Sequence, residues 1–406
     1  MFLLKLAWRN IWRNSRRTFI TMASIVMAVL LSSVMSSMQQ GQYDQMIDNS
    51  VGSFTGHIQI QAPKYFDEPM LDNSLKIDDE LLATISEIRN VDAVIPRINS
   101  YALAGGIEKT RPVLVIGIDI ESEKALSKPN DKMVEGEYFT SMDENATIIS
   151  EGLAEYLEIG VGDSLVLLSS GFRGTTAAGL IPIKGIAKFG LPELNNSTVY
   201  LPLGTAQNFY GAFDRVTAVA ILSKNSKKSA NLTADLSDQL GEDFRVYDWP
   251  TLMPELVQAI QADRGSGYIV LLVLYMVVGF GIFGTILMMT AERKFEFGVL
   301  IAVGTPKWSI SKMLMIEMFT ITTLGTIAGI ILSIPVIYYF NINPLEFTGQ
   351  AAAAIEEYGL EPFIRFSTDP ILLFIQAAII GVISLFISLY PLFHTQKIKP
   401  VEAMRA

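Results

Sequence analysis

Gly265-Ser-Gly-Tyr-Ile-Val-Leu-Leu-Val-Leu-Tyr-Met-Val-Val-Gly-Phe-Gly-Ile-Phe-Gly-Thr-Ile-Leu-Met-Met-Thr-Ala291 runs for 27 residues without a charge, then meets Glu292-Arg-Lys-Phe-Glu-Phe-Gly298. About 20 apolar residues cross the hydrocarbon core of a bilayer, so the run predicts a transmembrane helix with a charged collar. Three other stretches lack charge: Thr18–Tyr43, Met318–Leu345 and Pro370–Gln396. Together they predict an α-helical membrane protein with four transmembrane helices, at 18–42, 265–291, 313–340 and 370–393. Composition agrees. Half of the 406 residues are hydrophobic and 18% are charged, whereas soluble domains carry about 25% charge. The first helix is expected to stay as an anchor. Its basic lead of 17 residues and apolar run are both longer than a cleaved signal peptide needs.

Flanking charges orient the spans. Lys5, Arg9, Arg13, Arg16 and Arg17 precede the first, and Arg293, Lys294, Lys307 and Lys312 lie between the second and third. The positive-inside rule then places both termini and the 292–312 loop in the cytoplasm. Residues 43–264 and the short 341–369 loop fall outside. The 43–264 segment holds 32 acids and 18 bases, a net charge of −14. The chain totals −10, so the remainder is +4. This balance argues against a nucleic-acid partner.

Residues 1–17 read as an amphipathic helix at the cytoplasmic membrane face. Leu4, Trp8, Ile11, Trp12, Ser15 and Phe19 share one side, with arginines beside them. The tail 394–406 follows the fourth span. The outer segment reads as α+β. Strands are expected at Ile58–Ala62, Val113–Ile118, Leu165–Leu168, Ile181–Ile186, Val199–Leu201, Val216–Leu222 and around Val246. Asp78 is expected to cap a helix through Ile88, and Ser150 one through Glu158. Ser169–Pro182, rich in Gly, Ser and Thr, reads as a long hairpin loop, either solvated or a protruding contact element.

Several chemistries fall away. The chain has no cysteine, which excludes disulfides, thiolate metal sites and thiol catalysis. Its two histidines are His57, read as structural, and His394. No metal site and no catalytic residue are expected. Gly279-Phe-Gly-Ile-Phe-Gly284 matches a dinucleotide fingerprint but lies within a membrane helix, where close packing is the better meaning. Gly325, Gly329 and Ser333 form a similar stripe, for packing in the bundle or for a dimer seam. Glu317, inside the third span, is either a functional group or a partner for Lys312.

The 292–312 loop is the most informative segment. Thr305-Pro306 predicts a short helix from Pro306 to Lys312 lying before the third span. Phe295, Phe297, Val299 and Leu300 give this loop an apolar surface suited to a protein partner.

Glu292-Arg-Lys-x-Glu296-Phe-Gly298-x-Leu300-x-Ala302-x-Gly304 resembles the signature loop of MacB/FtsX-type ABC transporter permeases, and most that of the lipoprotein-releasing permeases LolC/LolE. Leu6-Ala-x-Arg-Asn-x-x-Arg-Asn-x-x-Arg17, Gly152-Leu-Ala154 through Gly160-Val-Gly-Asp163, and Lys399-Pro-Val-Glu-Ala-Met-Arg405 resemble further elements of that family. The one-plus-three arrangement of helices agrees, so the resemblance covers essentially the whole chain.

The resemblance implies an extracytoplasmic domain of Porter/Sabre type, with Porter at about 43–130 and 213–264 and Sabre at about 131–212. It implies a permease subunit, not an enzyme, working by mechanotransmission. ATP and Mg would belong to an ABC ATPase subunit dimer, and a second permease copy or paralogue would complete the complex. ATPase coupling falls on Glu292, Arg293, Glu296, Phe297, Gly298, Leu300, Gly304, Pro306 and Trp308. A flexible substrate cavity is expected from Met22, Val26, Met27, Val29, Met35, Met38, Met276 and Val278. Gly171, Phe172 and Arg173 occupy the place of the family's carrier-binding Hook. The leading substrate is a lipoprotein, extracted from the phospholipid membrane for a periplasmic lipoprotein carrier. The alternatives are a MacB-like exporter of drugs, peptides or toxins, working with an adaptor and outer-membrane channel, and an FtsX-like regulator of cell-wall hydrolysis.

Overall fold

The computed structural model describes residues 9, 11–13, 15–106, 108–225, 229–357 and 362–396. The N-terminal positions Leu4 and Trp8 and the Lys399–Arg405 motif lie outside them. The chain forms two compact units: residues 1–44, 259–345 and 363–406, and residues 45–258 with 346–362.

In the first unit, four helices among the described residues are long and apolar enough to cross a membrane: Thr18–Ser50, Pro254–Glu292, Lys307–Ile342 and Pro370–Phe393. The first three overrun the expected spans, and the fourth coincides with its own. The second has 39 residues, about 58 Å at 1.5 Å per residue, against a hydrocarbon core of about 30 Å. Loss of hydropathy marks where lipid ends, not where a helix ends. Gln39–Asp48 holds charges but no proline to stop the helix.

One apolar cluster draws on all four: Ile25, Ala28 and Val29 from the first, Ile282, Ile286 and Met289 from the second, Met318 and Ile321 from the third, Ala377 and Ile380 from the fourth. The Gly325/Gly329 stripe packs within the bundle. A Cβ on Gly329 would lie 2.6 Å from Val29 Cβ, and one on Gly325 would lie 2.9 Å from Ile25 Cγ2. Small residues here let the first and third helices approach closely. Gly279 faces Ile383 and Ile387 on the fourth span, whereas Gly281 and Gly284 meet nothing within 4 Å. Several buried polar groups find partners across the bundle, while the Ser33 and Ser384 hydroxyls are buried without one. Tyr275 donates to Gln376 Oε1, Gln376 Nε2 donates to Ser36 Oγ at 2.8 Å, and Ser37 Oγ donates to the Ser367 carbonyl at 2.6 Å.

The second unit carries strands β1 (Ile58–Gln61), β2 (Leu75–Lys76), β3 (Val91–Gly105), β4 (Thr110–Ile118), β5 (Met133–Gly136), β6 (Thr147–Ser150), β7 (Ser164–Ser170), β8 (Thr176–Ala187), β9 (Thr198–Pro202), β10 (Arg215–Val216), β11 (Ala218–Ser223) and β12 (Arg245–Asp248). The main sheet runs β12-β1-β11-β3-β4-β9-β6-β8-β5, and β7 pairs with both β3 and β8. The pairings β3-β4-β9-β6-β8-β7-β3 therefore close a circuit. Ala104, Leu165, Leu167, Ala177, Ile183, Val199 and Leu201 are buried in its core. Strands from 131–212 thus complete a sheet with β3 and β4 of the flanking segment. Short helices at Asp79–Glu87, Glu151–Leu157, Leu203–Tyr210 and Ser229–Leu240 give the α+β character.

Local signals vary in outcome. Asp78 accepts from Leu81 N at 2.9 Å, as a cap should. Ser150 stands at the N-cap position of Glu151–Leu157 without capping it. Its hydroxyl instead accepts from Thr198 N at 3.3 Å, because β6 and β9 are neighbours. β1 alternates apolar Ile58 and Ile60 with polar Gln59 and Gln61, yet it is buried on both faces. It lies between β11 and β12, and Gln59 Nε2 donates to the Thr55 carbonyl at 2.8 Å. His57 is structural, with Nδ1 accepting from Ser223 N at 3.1 Å. β3, at 15 residues, has no counterpart in the sequence reading. It contains Pro96 and Arg97, which argue against a central strand. Arg97 Nε reaches Glu123 Oε2 at 2.8 Å, and Nη1 donates to the Phe54 carbonyl, so its charge is neutralised in the interior.

Candidate functional site

The second-span helix ends at Glu292, and Arg293 breaks the helical path with φ −92° and ψ 5°. A separate helix, Lys294–Ala302, follows. The expected helix at Pro306–Lys312 does not stand apart. Pro306 is the extended residue before one continuous helix, Lys307–Ile342, that already contains the third span. The independent element lies earlier, at Lys294–Ala302, because Gly304, at φ +102°, turns the chain between the two helices.

Phe297 anchors the loop helix. It is fully buried among Ile310, Met313 and Leu314. Gly298 is buried beside it, so these two positions hold the helix down and offer no surface. Phe295, Val299, Leu300, Val303 and Trp308 are exposed. The start of the third span is tied to the helix Tyr390–Gln396, where Ser311 and Thr395 hydroxyls hydrogen-bond at 2.6 Å and Lys307 Nζ reaches the Gln396 carbonyl at 2.9 Å.

Glu317 pairs with Arg293, not Lys312. Arg293 Nη1 donates to Glu317 Oε2 at 2.8 Å, with both side chains at most 3% exposed. Removing one member of such a buried pair costs about 3–5 kcal/mol, because the survivor keeps its desolvation penalty. Arg293 also lies 3.4 Å from Glu296, which accepts from Arg13 Nη2 at 2.9 and 2.8 Å. A cleft of about 420 Å³ opens beside these charges, with Phe295, Val299, Leu300 and Met313 as its apolar walls.

The expected cavity residues do not converge. Val29 packs against Gly329, and Met22 and Val278 border the cluster shared by all four spans. Met38 borders a separate cluster at Ile337, Phe366 and Leu373. Met27 is exposed, and Val26 and Met35 are half-buried. Met276 lines a groove of about 380 Å³ between the second and fourth spans, with Leu272, Tyr275, Phe280, Phe283 and Ile383. Methionines spread round a helix face different neighbours, and composition alone does not show which share a side.

Ser169–Pro182 is a tight hairpin, not a long loop. β7 ends at Ser170 and β8 begins at Thr176, with Ser170 opposite Thr176 and Val166 opposite Leu180. Ala177 and Ile181 turn inward while Thr176, Ala178 and Leu180 turn out, so the small residues serve strand alternation. Gly171 is buried, Phe172 is half-buried under Arg215, and Arg173 N donates to Asp72 Oδ1 at 2.5 Å. The turn is thus fastened to the domain. Sequence reasoning missed the exposed apolar face beside it: Tyr101 and Leu103 on β3, Val166 and Leu168 on β7, and Leu180 on β8. Its signal was apolar residues at consecutive positions of β7, Leu165 to Leu168, which puts them on both faces.

Among the described residues, no group of three or more His, Asp or Glu could hold a metal. The fold and the loop define a multi-pass membrane protein with a large α+β domain between its first two spans and a short helix with an exposed apolar face between its second and third. The MacB-like periplasmic core domain matches residues 18–239, and the FtsX-like permease C-terminal domain matches residues 268–400. The chain belongs to the MacB/FtsX-type ABC transporter permeases. It is 23% identical to the lipoprotein-releasing system transmembrane protein LolC of Neisseria meningitidis, covering 97% of this chain and 95% of that one. It is 20% identical to LolE of Haemophilus influenzae, covering 89% and 88%. The macrolide export ATP-binding/permease protein MacB of Agrobacterium fabrum is 21% identical, over 99% of this chain and 60% of that one.

Proposed function

We propose that the chain is the permease subunit through which a separate ABC ATPase dimer, holding ATP and Mg, drives lipoproteins out of a bacterial inner membrane toward a periplasmic carrier. The observation that carries the coupling half is the loop helix, which Phe297 pins to the third span while Phe295, Val299, Leu300 and Val303 stay uncovered. In this reading the loop and both termini are cytoplasmic, the large domain is periplasmic, and a second copy or paralogue completes the complex. The substrate half draws on the LolC and LolE relatives, matched over nearly their whole length. Extraction needs work, since each buried CH₂ holds about 0.8 kcal/mol and three acyl chains on the order of 30 kcal/mol.

The second reading, export of a small molecule or peptide, is favoured by the MacB relative. Mass spectrometry of the native complex separates the two. A co-purifying triacylated lipoprotein supports extraction, and phospholipid alone in repeated preparations counts against it. Val299→Asp with Leu300→Asp should abolish ATPase co-purification while the permease still folds. Undiminished co-purification would remove the docking assignment.

A further inference from the structure

Four alternating charges, Arg13, Glu296, Arg293 and Glu317, join three elements far apart in sequence. Arg13 lies near the start of the chain, Arg293 and Glu296 at the loop helix, and Glu317 in the third span. The two ends of this relay differ physically. Arg293 and Glu317 are both almost fully buried, so separating them would strand a charge in the interior. Arg13 and Glu296 are 54% and 45% exposed, and such pairs contribute little net stability and are screened by salt. One end is therefore fixed and the other opens at little cost. Arg13 also helps line the cleft bounded by Phe295, Val299, Leu300 and Met313, so releasing Glu296 removes part of its wall.

We propose that Glu296 is the positioning residue of a releasable latch. It holds the chain at Arg13, just before the first-span helix, to the loop helix, while Arg293 keeps the loop helix on the third span. This rests on the coupling reading above and deepens it. The latch gives the first span a second connection to the loop, besides bundle packing, that is made and broken as the loop moves. Glu296 is then a group that acts through Arg13, without needing to touch the ATPase.

The chain has no native cysteine, so labels can be placed cleanly. The full chain in lipid nanodiscs, without any ATPase, is spin-labelled at Trp12→Cys and Val299→Cys. The distance distribution should be narrow in the parent and broad in Arg13→Glu. It should narrow again in the swap Arg13→Glu/Glu296→Arg and stay narrow in the control Arg16→Glu. It should also broaden as salt rises from about 0.1 to 1 M, over which the Debye length falls from about 10 to 3 Å. A distribution unchanged by Arg13→Glu, or not restored by the swap, overturns the latch whatever the transporter carries. With the ATPase added, Arg13→Glu should lower transport per ATP hydrolysed, and the swap should recover it. If the distances respond but this ratio does not, the coupling role is overturned. Failure of the parent chain to stimulate any ATPase would sink the wider reading separately.

Discussion

Glu317 shows how a residue legible as unusual can remain illegible in role. Its place in an apolar segment marks it, but its partner stands 24 positions earlier, and Lys312 is nearer in sequence. Glu317→Gln should destabilise the bundle by about 3 kcal/mol, the low end for a broken buried pair because Arg293 keeps Glu296 nearby. Arg293→Met/Glu317→Leu should cost less than the single change. Thermal unfolding in detergent checks both, and equal losses would reject the ion-pair account. In the second unit, burial alone would raise the Glu144 carboxyl, but Lys184 Nζ at 2.5 Å and the Thr140 amide and hydroxyl outweigh it and hold it at about 2. A depressed carboxyl adds stability that is present above its unfolded value of about 4.5 and lost as pH falls toward 2. His57 is lowered by burial, so its unfolded form takes up protons first and stability also falls as pH drops below 6.5. Hydrogen-exchange protection factors at β6 and β8, corrected for the intrinsic rate, should therefore fall below pH 4.5, and Glu144→Gln should flatten that part of the profile while leaving the step near 6.5.

At the scale of elements, the spans were legible because lipid imposes one rule on every residue of a helix. The strands were legible where one face is apolar, as in β4 and β9. They were not where polar residues are absorbed by tertiary partners, as at Arg97 in β3, or where both faces are apolar, as in β7. The loop helix Lys294–Ala302 was missed because Pro306 gives a stronger start signal than Arg293, although Pro306 opens the third span. Part of the candidate site was thus visible as residues and not as geometry: Phe297 was read as surface and proves to be the anchor. The Gly329 contact gives a direct check on packing between the first and third helices. Gly329→Leu places atoms where Val29 already stands, and overpacking of this kind costs about 1–3 kcal/mol. Val29→Ala should recover most of the loss. Gly281→Leu, with nothing within 4 Å, should cost nothing measurable in the same detergent unfolding assay.

For the molecule as a whole, the charge split separates two tasks. The acidic segment 43–264, net −14, carries the α+β domain, and the +4 remainder includes the spans and the basic loop. One apolar surface on the domain is the outer face of β3, β7 and β8. Five large apolar side chains stand exposed there without a charge among them, a grouping that monomeric surfaces rarely leave without purpose. The turn at Gly171–Arg173 adjoins it but is fastened by Asp72 and Arg215. If the domain hands lipoprotein to a carrier, Leu168→Glu with Leu180→Glu should block release from proteoliposomes into a soluble carrier fraction. Both side chains already face solvent, so ATP hydrolysis and thermal unfolding should stay at parent levels. Arg173→Ala, whose backbone contact to Asp72 survives, should have a smaller effect. Normal release by the double variant would exclude this face as the exit surface, and loss of release together with loss of ATP hydrolysis would point to damaged coupling instead.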